Sequence, residues 1–129
     1  MMNDIQPTID RSALSILAAG LQPFEAMATA AKSSFPVNLV SAFMLVATNE
    51  GLTVGELANA AGVHLAKMSR QLADLSDINR YGAPGLALIE QRVDIQDNRY
   101  MRSRLTVKGQ ALVRQIAAAM DRTWGRPEK

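Results

Sequence analysis

Cysteine is absent from the 129 residues. That excludes disulfides, thiolate-bound zinc and thiol redox chemistry. Histidine occurs once, as His64. No carboxylate pair at helical spacing stands beside a nucleophile, so the chain is not expected to be an enzyme. No cofactor or metal is expected either. Aromatic residues are scarce, with three Phe, two Tyr and one Trp. Ala, Leu, Ile, Val and the seven Met must fill the interior, which favours helices over an all-β fold. No run approaches the ~18 consecutive apolar residues of a membrane span. Basic residues are missing near the start, where Asp4 stands, so no secretion signal is predicted. A soluble cytoplasmic protein with no membrane partner is expected.

Charge is also thin in one half. Residues 1–63 hold two bases against five acids, a net of −3. Residues 64–129 hold twelve bases against seven acids, a net of +5, and the two halves give the chain's +2. Such asymmetry points to an acidic partner on the second half, nucleic acid above all.

Taken in order, Met1–Thr8 reads as a lead-in, and Asp10 as the cap of a helix Arg11–Ala19 carrying Leu14 and Leu17. Gly20 and Pro23 are expected to interrupt it. A second segment then runs Pro23–Lys32 and stops at Ser33-Ser34. Pro36 opens a helix Pro36–Asn49, and Glu50-Gly51 closes it. These first helices are apolar on more than one face. Core packing and a dimer surface made with the C-terminal helix both fit.

Thr53-Val-Gly-Glu56 is a capping box for a helix Val54–Ala61. Gly62 turns the chain into a second helix, His64–Ile78. Helix, glycine turn and helix form a helix-turn-helix. Leu65, Met68, Leu72 and Leu75 make the expected buried stripe. Ala66, Arg70, Ala73, Asp74 and Asp77 lie opposite, with Lys67 on the flank. The face is basic at its N-terminal end, as in a helix entering a major groove. Arg70 is placed either to reach guanine or to pair with Asp74 at i,i+4. His64 is read as a capping or packing residue, a phosphate or base contact, or a metal ligand.

Asn79–Gly85 is loop chemistry. Leu86–Asp94 and Arg99–Leu105 read as two strands around a turn at Ile95–Asn98, with Arg99, Arg102 and Arg104 crowding the return. Thr106 caps a last helix with a stripe of Leu112, Val113, Ile116, Ala117, Met120 and Trp124. The fold expected is mainly α with a small β wing: a winged helix-turn-helix with N- and C-terminal dimerisation helices. It forms a single domain over 1–129, with residues 9–34 and 107–124 for dimerisation and 36–106 as the winged helix-turn-helix.

Over Pro36–Trp124 the chain resembles MarR-type winged-helix transcriptional regulators. The most specific stretch is Leu88-Ile-Glu-Gln-Arg-Val-Asp-Ile-Gln-Asp-Asn-Arg99, continuing to Arg104-Leu-Thr-Val-Lys-Gly109. It is similar to the family's strand ending, its Asp-x-Arg wing turn and its Leu-Thr-x-Lys-Gly helix start. Leu52–Ala58 and Met68-Ser69-Arg70 resemble the two helix-turn-helix segments. The resemblance implies a homodimeric regulator, a repressor in its expected sign, bound to a pseudo-palindromic double-stranded operator. It implies that Asp97 holds the wing and that Arg99 enters the minor groove. Ser69 and Arg70 match DNA-contacting positions, and His64, Ala66, Lys67, Arg92 and Arg102 complete the expected DNA surface. In many members a small aromatic or phenolic effector binds between dimer domain and winged helix and releases DNA. The chain departs from the pattern in the insertion Asn79–Gly85, in its short terminal helices, and at His64 and Ala66, where the family has small hydroxyl residues. A winged helix that binds an acidic protein is the alternative.

Overall fold

A chain so rich in Ala, Leu and Met builds its frame from helices. The computed structural model describes residues 11–32 and 34–125. The lead-in 1–8, the cap at Asp10, Ser33 and the residues after Gly125 lie outside them. In chain order the described elements are α1 (Arg11–Ala30), α2 (Val37–Thr48), α3 (Val54–Ala61), α4 (Leu65–Leu75), β1 (Ile89–Val93), β2 (Met101–Leu105) and α5 (Val107–Trp124).

α1 corrects the expected break, because it passes through Gly20 and Pro23 without interruption. A mid-helix proline removes one hydrogen bond and costs roughly 3 kcal/mol in isolation. Packing on both sides of it offsets that. Phe24 is buried edge-on against Phe35 and Phe43, with ring centroids 5.0 and 5.8 Å away. Gly20 is buried where α5 crosses. A Cβ there would lie 2.9 Å from Met120 Sδ, so the glycine is a notch for α5.

α2 lies inside the molecule, with Phe43 and Val46 fully buried. Thr53 caps α3 as expected. Its hydroxyl accepts the Glu56 amide at 3.1 Å, and Glu56 Oε1 accepts the Thr53 amide at 2.9 Å. Gly62 ends α3 at φ +69°. α4 is shorter than expected. Ser76 turns extended, and its hydroxyl donates to the Leu72 carbonyl at 2.7 Å, closing the helix three residues early. The stripe also needs correcting. Met68, Leu72 and Leu75 are buried, but Leu65 is 60% exposed and Gln71 is buried instead.

β1 and β2 pair antiparallel, Ile89 opposite Leu105 and Val93 opposite Met101. Both strands are shorter than expected: β1 starts late because Leu86–Leu88 bonds to the end of α4, and β2 because Arg99 and Tyr100 bond back to Asp97 in the turn. The Leu88 amide, for example, donates to the Leu75 carbonyl at 2.8 Å. β2 also leans on the entrance to α3. The Gly51 amide donates to the Ser103 carbonyl, and the Ser103 amide to the Leu52 carbonyl.

The Leu-Thr-x-Lys-Gly start of α5 is a joint. Leu105 is buried. The Thr106 hydroxyl accepts the Gly109 amide at 3.0 Å and donates to the Ala87 carbonyl at 2.7 Å. Lys108 Nζ donates to the Leu86 carbonyl at 2.9 Å. A Cβ on Gly109 would fall 2.1 Å from the Leu88 carbonyl oxygen, so only glycine fits. On α5, Leu112, Ile116 and Ala119 are buried. Ala117 and Trp124, expected in the stripe, are exposed instead. Among the described residues no helix is long and apolar enough to cross a membrane.

Candidate nucleic-acid interface

The N-terminal half of α4 is open to solvent. His64, Ala66, Lys67, Ser69 and Arg70 are all exposed. His64 is the N-cap, but its side chain makes no cap hydrogen bond. It therefore neither caps nor packs, which removes two of the roles open to it in the sequence. Among the described residues it belongs to no cluster of three or more metal-ligating groups.

Arg70 does not take the local pairing available to it. Asp74 is bound instead by Arg80, whose Nη2 stands 3.2 Å from Asp74 Oδ2. Arg80 belongs to the loop after α4, so no helical spacing could have revealed the pair. Arg70 forms no ion pair or hydrogen bond among the described residues. Its guanidinium is available to an incoming acceptor.

The wing turn is built by two aspartates. Asp94 Oδ1 accepts the Gln96 amide at 2.9 Å, which starts the turn. Asp97 grips Arg99 through Nε at 2.9 Å and Nη2 at 2.7 Å, and also accepts its amide at 3.2 Å. The Arg99 side chain holds the Asp97 carboxyl below the usual carboxylate range, and Asp97 raises the Arg99 guanidinium in turn. The arginine remains 77% exposed and is fixed in direction. A forked pair of this kind orients a cation without neutralising all of its donors.

The other wing arginines divide. Arg92 is exposed and pairs with Glu90 at 2.8 Å. Arg102 turns toward the body. Its Nε donates to Asp94 Oδ2 at 2.9 Å and its Nη1 to the Gly51 carbonyl at 2.7 Å, with Glu56 3.8 Å away. Its donors are committed to the fold, which makes Arg102 a strut rather than the exposed contact expected of it. Arg104 takes neither aspartate of the wing, because Arg102 holds Asp94 and Arg99 holds Asp97. The Asp94 carboxyl is held low chiefly by the Gln96 amide and then by Arg102.

No family model matches the sequence, and no curated protein matches it. Solved structures match in shape. The Staphylococcus aureus MepR–DNA complex superposes with a TM-score of 0.62 at 20% identity, over 87% of this chain and 78% of that one. Wild-type MarR from Escherichia coli in its apo form gives 0.58 at 16% identity, over 95% and 82%. The transcriptional repressor CouR, bound to a 23-mer DNA duplex, gives 0.58 at 19% identity, over 89% and 71%. The chain has the MarR-type winged-helix fold, mainly α with a small β wing.

Proposed function

From that fold as premise, we propose that this chain is a cytoplasmic, sequence-specific DNA-binding transcriptional regulator, a repressor acting as a homodimer. The N-terminal half of α4 enters the major groove, and the wing over residues 94–104 enters the minor groove. The observation that carries the reading is the pairing pattern of two arginines. Arg70 stands unpaired on an exposed helix face, while Asp97 aims Arg99 at the wing tip. Arg70, with His64, Ala66, Lys67 and Ser69 around it, reads bases and phosphates. Arg99 is drawn to the negative potential of a narrow minor groove, and Arg92 adds a phosphate contact. MepR and CouR, which share the fold, are seen on DNA.

α1 and α5 supply the dimer surface. Leu14 and Leu17 on α1 are 57% and 53% exposed, and Trp124 on α5 is 56% exposed. A small aromatic or phenolic effector fits the crevice between the end of α1, the start of α2 and the loop after α4. Leu39, Tyr81 and Pro84 line it, and it encloses about 650 Å³.

The test is capture of a specific duplex from sheared genomic fragments at ~100 mM salt, followed by a salt titration. Each phosphate contact contributes about −0.9 to the slope of log affinity against log salt. Arg99→Ala weakens binding on all sequences. Arg70→Ala relaxes preference at one position per half-site, at a cost of roughly 1–3 kcal/mol for a bidentate contact. A chain that retains no fragment is not such a regulator. One observation favours a second reading, a winged helix that binds protein: Ile95 at the wing tip is fully exposed and Val93 is half exposed. Retention of an acidic protein in place of DNA would select it.

A further inference from the structure

The loop between α4 and β1 makes none of the DNA contacts proposed for α4 and the wing, yet it is well built. Asn79 Oδ1 accepts the amides of Tyr81 at 2.9 Å and Ala83 at 3.1 Å. Ile78 bridges Pro84 across the loop. The fold so formed delivers Arg80 to a fixed place beside α4, where Asp74 holds one edge of its guanidinium. Five donors in a fork leave the remainder for a second acceptor.

Arg80 lines a groove of about 220 Å³ together with Lys67, Arg70 and Gln71 of α4 and with Pro36 and Asn38 at the start of α2. Three cations face one carboxylate, Asp74, a net of +2. α2 adds the positive end of its dipole, with no acidic residue in its first turn and no side-chain cap from Pro36. The amides of Val37 and Asn38 have no partner among the described residues.

Gln71 is the independent sign of a ligand. It is only 8% exposed, lines the groove, and its side-chain amide has no hydrogen-bond partner among the described residues. The amide is not sealed from solvent, so it stays open to an acceptor that enters the groove.

We propose that this groove seats one backbone phosphate of the operator duplex, along the flank of α4 that faces α2. Lys67 and Arg80 supply the charge, Gln71 donates a neutral hydrogen bond through Nε2, and the first amides of α2 complete the cradle. The inference rests on the DNA-binding reading and extends it. It gives the Asn79–Gly85 insertion a function, that of carrying Arg80 to the DNA backbone.

The test is a salt titration of the full chain on its captured duplex, for the parent, Arg80→Met and Gln71→Glu. With one groove per half-site, Arg80→Met makes the log–log slope less negative by about 1.8 for the dimer. Gln71→Glu sets a carboxylate against the phosphate and lowers affinity at least tenfold. Arg114→Met, an exposed cation of α5, leaves affinity and slope unchanged. Thermal melts confirm that each variant is folded. An Arg80→Met protein with the parent's slope overturns the inference and leaves the regulator reading intact. So does a Gln71→Glu protein with the parent's affinity. A parent that binds no duplex overturns both. Inorganic phosphate at constant ionic strength provides the remaining arm. If it stabilises the parent but not Arg80→Met while the DNA slope is unchanged, the groove takes a small free oxyanion and the assignment to DNA falls.

Discussion

Two small residues show how tightly single atoms are placed. Ser103 is fully buried, and its hydroxyl finds no partner among the described residues. An unpaired buried hydroxyl costs about 1–3 kcal/mol. Ser103→Ala is therefore expected to raise stability by about 1 kcal/mol, read as a higher denaturant midpoint at unchanged m-value. A lower midpoint would mean that the hydroxyl is satisfied. Gly109→Ala is expected to do the reverse. Its methyl would meet the Leu88 carbonyl backbone, and overpacking of this kind costs about 1–3 kcal/mol or more. A melt within experimental scatter of the parent would refute the contact. Gly109 was legible in the sequence as part of a motif, though not its reason. The reason lies in the Leu88 backbone, twenty-one residues earlier in the chain, which spacing cannot show.

At the scale of elements, the wing and α3 share one polar knot. Glu56 closes the capping box and stands beside Arg102, while Arg102 ties Asp94 to Gly51. The Glu56 carboxyl is held below its ordinary range, first by the Thr53 amide, and Asp94 and Asp97 are also held low. A carboxylate whose folded value lies below its unfolded value stabilises above the unfolded value. That contribution is lost as pH falls through the folded value. The wing is thus expected to stay ordered through neutral pH and to loosen only below the usual carboxylate range. Amide exchange at Gln96 and Arg99 across an acid titration measures it. Arg102→Ala should move that loosening toward the ordinary carboxylate range, and an unchanged profile would remove Arg102 from the knot. The capping box and the hairpin were readable because each is local. Three features were not: the unbroken α1, the early end of α4 and the Arg80–Asp74 pair. The first is decided by packing against segments distant in sequence, and the other two by the path of the loop that leaves α4, which periodicity does not show.

For the molecule as a whole, the charge asymmetry and the alternation of helix, turn and strand were enough to suggest the winged helix. The exposed apolar residues of α1 and α5 add a quaternary expectation. Leu17 lies in an open groove with Met120 and Trp124, a surface that a second copy would cover. Sedimentation at ten micromolar should give twice the chain mass, and Leu17→Glu should give the monomer, with DNA affinity falling as the second half-site is lost. A parent that sediments as a monomer would rule this surface out. Candidate DNA residues on α4 were legible because an exposed helix face follows from periodicity. The commitment of Arg102 to the body was hidden, because its acceptor Gly51 is far away in the chain.

That distance also shapes the order in which the protein assembles. The Arg102–Gly51 bond closes a loop of 51 residues and the Leu105–Glu50 bond one of 55. The helices between need only neighbours a turn away. Closure entropy rises slowly with length, about 0.6 kcal/mol per doubling. Once the first tie is made, the second therefore adds little further cost. On this account the hairpin and the segment Glu50–Thr53 zip and unzip together, late in folding, with a shared opening rate slower than that of the Asn79–Gly85 loop. A ribosome-bound chain that has not yet exposed residue 109 would carry a formed helix-turn-helix and no wing.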